Sequence, residues 1–68
     1  MTNRNPANTV RAHELLFDEG LKDFTDKMDG KSADFVEQTV ERFERYGDDT
    51  FISDKQLEWL ESLGEKLL

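Results

Sequence analysis

From Val10 onward the apolar residues of the chain recur three and four positions apart. Val10, His13, Phe17, Leu21, Phe24 and Met28 fall on one face of a helix turning by about 100° per residue. The spacing predicts a first helix that starts at Asn8 or Thr9, both able to cap it, and ends at Asp29-Gly30. Gly20 is the point where it would break in two, because a mid-helix glycine costs about 1 kcal/mol relative to alanine. Two acid-first pairs, Asp18 with Lys22 and Asp23 with Lys27, lend it modest support.

Ser32 is the predicted N-cap of a second helix, with Asp34 in its first turn. Phe35, Val36, Thr39, Val40, Phe43 and Tyr46 span an apolar sector of about 140°, and Gly47 stands where a terminal glycine belongs. The third helix carries the clearest local signal. Ser53 followed by Gln56 reads as a capping box, Ile52 before the cap can pack on Leu57, and Leu57, Leu60, Leu63 and Leu67 form the stripe. Gly64 and the terminal leucines predict fraying. Between the last two helices, Thr50-Phe51-Ile52 reads as an extended linker burying Phe51 and Ile52.

Short connections make sequential helices antiparallel neighbours, so the expectation is an all-α, compact three-helix fold. Residues 1–8, polar, aperiodic and holding the sole proline, are expected to be a disordered N-terminal arm ahead of one helical domain over 9–68.

Composition narrows what such a domain can do. At 68 residues it has one small core and no room for an enclosed active site. The formal charge of −7 argues against direct nucleic-acid binding and against anionic membranes, where Lys and Arg must prevail. No Cys means no thiolate metal site or disulfide, and no apolar run approaches the roughly 20 residues of a membrane span. The default compartment is the cytoplasm.

Motif chemistry is sparse. His13-Glu14 opens like a zinc protease signature, but position 17 is Phe where the second His must stand. The stretch from Arg45 to Gln56 resembles a calcium loop only superficially: of the ligand positions just Asp49 qualifies, and the closing bidentate acid is absent. No glycine-rich phosphate loop or Ser-His-Asp arrangement is present, and the carboxylates lie opposite the apolar faces, in water rather than in a pocket that would raise a pKa. These observations predict no enzyme, no metal and no cofactor.

The ordering of the acids goes beyond composition. Asp34, Glu37, Glu41, Glu44 and Asp48 follow one another at spacings of three and four along the second helix and just past its end; Asp54, Glu58, Glu61 and Glu65 do so on the third. Neighbours in each stripe lie roughly 5–6 Å apart, comparable with successive phosphates of a strand, and their repulsion would be relieved by a basic partner. The predicted partner-binding residues are Asp34, Glu37, Glu41, Glu44, Asp48, Glu58 and Glu61, with Trp59 at the margin of its apolar face as an aromatic hot spot. The plain alternative is the solvated back of two amphipathic helices. Arg4 and Arg11 precede every acid and suggest a basic arm, leaving −9 on the rest of the chain.

The run DFVEQTVERFERYG followed by FISDKQLEWLESL, over residues 34–63, resembles a pattern of small phage-encoded accessory proteins, in which a helix opening near a D-F pair leads to an S-[D/E]-K-Q helix backed by Leu or Trp. The resemblance implies no reaction and no catalytic residue. It implies a protein that binds and inhibits or redirects a host protein, including one that itself binds nucleic acid, whose backbone the stripes would mimic. The partner expected is a larger protein with a basic surface. The alternative is a structural or assembly module, a homodimer or a subunit of a phage DNA-metabolism complex, held by apolar contacts from Leu15, Trp59, Leu67 and Leu68.

Overall fold

The computed structural model describes residues 6–68, and every regular element among them is helical. Helix α1 (Pro6–His13) runs directly into a π-helical turn (Glu14–Asp18), closed by the Glu19 amide donating to the Glu14 carbonyl at 2.8 Å. A 3₁₀ segment (Leu21–Lys27) follows, then α2 (Gly30–Tyr46), a 3₁₀ turn (Gly47–Asp49) and α3 (Asp54–Leu67). The all-α fold expected from the sequence is what forms, with four helical bodies in place of three.

The extra body comes from the break at Gly20, whose φ of 81° is left-handed and open to glycine without the steric cost a side chain brings. There the chain turns, and the residues beyond resume as a 3₁₀ segment kinked at Phe24. The helix also begins earlier than predicted. Its described part starts at Pro6, so residues 6–8 belong to the helical domain. The rest of the expected arm lies outside the described residues.

The face of α1 that is buried is offset by one residue from the predicted stripe. Thr9, Ala12 and Leu16 are buried together with Leu15, whereas Val10 is 58% exposed and His13 is exposed. Both faces have helical spacing; the smaller residues allow α1 to approach its neighbours closely, and Leu15 and Leu16 fill the space beyond. Leu15, one of the apolar contacts expected of an assembly module, is 3% exposed and so offers almost no surface for assembly. Phe17 stays at the margin, half-buried in a cluster with His13 (ring centroids 4.6 Å) and Phe43 (5.8 Å).

Helix α2 is capped by Asp29, not Ser32. The Asp29 carboxylate accepts from the Ser32 amide at 2.9 Å, hydrogen bonding from the Ser32 side chain and then from this amide holds it below the usual carboxylate range, and Ser32 is buried inside the first turn. Val36, Thr39 and Phe43 face the core, and the Thr39 hydroxyl donates to the Phe35 carbonyl at 2.7 Å. Tyr46 is 58% exposed, at the edge of the predicted sector. Gly47 ends the helix with a φ of 56°, again positive.

In the linker, Ile52 is buried as expected but Phe51 is 48% exposed; the side chain buried beside Ile52 is Thr50. Its hydroxyl donates to the Arg42 carbonyl at 3.1 Å, and its own carbonyl accepts from Thr9 at 2.6 Å. These bonds tie the end of α2 to the start of α1. Farther along, His13 and Phe17 meet Phe43. Helix α3 starts with the predicted capping box, the Gln56 amide donating to Ser53 Oγ at 3.2 Å and the Ser53 amide to Gln56 Oε1 at 2.9 Å. Asn8 bonds the Ile52 carbonyl and Asp54, while Leu15 lies on Gly64, so α3 runs parallel to α1. No helix among the described residues is long and apolar enough to cross a membrane.

Candidate interaction surface

All of Asp34, Glu37, Glu41, Glu44 and Asp48 are exposed, as are Glu58 and Glu61. On α2 the first four fall within an arc of about 80° at 100° per residue. Glu41 pairs with Arg45 at 3.5 Å; Asp34, Glu37 and Glu44 have no ion pair among the described residues. Glu37 borders a shallow hollow with Lys22, Thr25, Val36 and Val40. The bases of α2 keep to the adjoining flank, where Lys31, Arg42 and Arg45 span an arc of about 60°. The helix is thus acidic along one side and basic along the next.

The second stripe is not a continuation of the first. The ring of Trp59 stacks flat on Phe35, centroids 4.2 Å apart and planes within 3°. Phe35 lies at least about 100° round α2 from each of those four acids, so the α2 stripe faces away from α3. Trp59 itself is about 100° from Glu58 and about 160° from Glu61. It is 39% exposed, with one face covered by Phe35.

On α3 part of the stripe is used internally. Asp54 accepts from Asn8 at 2.8 Å, and Glu61 pairs with Arg11 at 3.4 Å. Arg11 also reaches Glu19 at 3.1 Å and Glu14 at 3.5 Å, which removes it from the predicted basic arm and makes it a bridge between α1, the π turn and α3. Partial desolvation disfavours its charge, but the bonds to Glu61 and Glu19 and the fields of Glu19 and Glu14 prevail and raise its pKa. The pairing with Glu14 three residues on was legible as a helical spacing; those with Glu19 and Glu61 depend on the fold. This bridge crosses an open hollow of about 410 Å³ floored by Leu15 and Gly64 and edged by Glu19, Glu61, Glu65 and Leu68.

No group of three or more His, Cys, Asp or Glu among the described residues is placed to hold a metal ion. No buried side-chain nitrogen or oxygen among them lacks a hydrogen-bond partner. What the arrangement offers is charge displayed along a rigid helix. Compared with family models, curated proteins and solved structures, the chain has no match.

Proposed function

We propose that this chain is a nonenzymatic interaction protein that binds a larger protein through the acidic flank of α2, and by occupying a basic surface inhibits or redirects it. The observation that carries this reading is the row Asp34, Glu37, Glu41 and Glu44: exposed, on one narrow arc, and with a single ion pair to the four among the described residues. It extends over about 15 Å of a helix that is fixed at both ends, by Asp29 and Gly47. Such a row needs no ordering of the backbone on binding and repels itself when unbound, so a basic groove shaped for a nucleic-acid backbone is the surface that gains most from it. The resemblance to phage accessory proteins supports a host protein as the target, and Glu58 on the other stripe then lies outside the contact.

Affinity capture from host lysate with the intact chain and with the triple variant Glu37→Lys, Glu41→Lys, Glu44→Lys tests it. The expected result is a species held by the intact chain, released between about 50 and 200 mM salt, and absent from the variant, with helical circular dichroism unchanged. A species retained equally by the variant overturns the assignment to this flank.

A further inference from the structure

The acid excess is not spread evenly over the molecule. Where α2 ends, Arg42, Tyr46, Asp49, Thr50 and Phe51 line an open hollow of about 660 Å³. Tyr46 is 58% and Phe51 48% exposed, although each belongs to a stretch whose pattern predicts burial. Arg42 and Asp49 border the same hollow without pairing, and neither has an ion pair among the described residues. The lining carries one base and one acid, and so no net charge, on a chain of −7.

We propose that this hollow is a self-association surface that takes a second copy of the chain in a two-fold arrangement, with Tyr46 and Phe51 of each copy seated in the hollow of the other and Arg42 of each facing Asp49 of the other. A two-fold interface must be complementary to itself, which requires projection and recess, cation and anion, within one patch. This patch has both pairs. Its residue types also differ from the rest of the surface in the direction interfaces do: Tyr, Phe and Arg are gathered, and Glu and Lys are missing from the lining. Charge selects among occupants. A basic partner is drawn to the α2 acids on the other flank, and a strongly acidic one is repelled by the body of the chain. A second copy meets least repulsion where the local charge cancels. Five lining residues make a small contact, so the dimer is weak and concentration-dependent.

Sedimentation equilibrium of the full chain, up to about 1 mM and at about 0.05 and 0.5 M salt, tests the proposal. Association is expected at the upper concentrations and is expected to strengthen with salt, because screening relieves repulsion between two copies of −7. That sign is opposite to binding through the acidic flank, so the two readings fail separately. The variant Tyr46→Ser, Phe51→Ser should weaken association by at least about tenfold. Asp49→Arg should also weaken it, even though it lowers the net negative charge, and so should Arg42→Asp; the double exchange should restore the affinity to within about threefold. Each variant is checked for an unchanged amide spectrum. A monomer at about 1 mM in high salt overturns the proposal, as does stronger association of Asp49→Arg or a double exchange no better than the single ones.

Discussion

Leu15 rests directly on Gly64: a β-carbon at Gly64 would come within 3.3 Å of Leu15 Cδ2, closer than side chains ordinarily pack. This contact sets how near the π turn and α3 approach. Gly64→Val is therefore expected to lower unfolding stability by about 1–3 kcal/mol, because overpacking against Leu15 outweighs the few tenths of a kcal/mol that valine gains over glycine in helix propensity. In a Leu15→Ala background, itself costing about 2–4 kcal/mol, the same change should cost measurably less. Urea unfolding of the four chains, followed by circular dichroism, checks the coupling; strictly additive effects would remove Leu15 as the cause.

The cap of α2 gives a pH dependence with a definite sign. Asp29 is held below its ordinary value of 3.8, chiefly by the hydrogen bonds from Ser32. A carboxyl whose pKa is depressed by folding adds stability that is fully present above the unfolded value and is lost as pH falls through the folded one. Asp29→Ala should accordingly lower Tm at neutral pH, and the gap from the parent should narrow once the pH is below 3.8. Asp29→Asn, which caps without titrating, should show less acid sensitivity than the parent. Thermal melts across that range decide it, and a constant gap between parent and Ala variant would rule out the carboxylate as the cap.

The bond from the Thr9 hydroxyl to the Thr50 carbonyl, 2.6 Å long and buried, joins α1 to the linker before α3. Thr9→Val keeps the shape and removes the donor, and is expected to cost about 1–3 kcal/mol; Thr9→Ser, which keeps the donor, should cost less. Chemical denaturation of the three chains measures the order. If Ser proves the worse replacement, the methyl group and not the bond is what matters at this position.

These three sites show what was legible before the structure and what was not. The capping box at Ser53 and Gln56 is a local code, written in two residues three apart, and it forms as read. Asp29-Gly30 and Ser32 both carry helix-boundary signals, and local rules do not choose between a stop followed by a Ser cap and a single Asp cap. Burial of Ser32 beneath the first turn decides for Asp29. The offset on α1 has a different origin. Val10, His13 and Phe17 make the bulkier set, yet Thr9, Ala12 and Leu16 are buried, and the Thr9 bond to Thr50 depends on a partner 41 positions away. The acids were legible as two rows, but their relation was not: Phe35 against Trp59 is a tertiary contact, and it turns the rows to different sides of the molecule.

That contact also carries a spectroscopic prediction. Trp59 is the sole tryptophan, so its emission reports its own surroundings without interference. With Phe35 stacked at 4.2 Å and the indole 39% exposed, Phe35→Ala should uncover the second ring face, shift emission to longer wavelength and raise quenching by acrylamide. The triple variant Glu37→Lys, Glu41→Lys, Glu44→Lys should leave neutral quenching unchanged. It should also barely alter the ratio of iodide to caesium quenching at about 0.15 M salt, where charges more than about 8 Å away are screened. A marked gain in iodide quenching in that variant would place the α2 acids beside Trp59 after all. It would restore a single surface combining the aromatic with that row of carboxylates, and the binding site proposed above would then have to include Trp59.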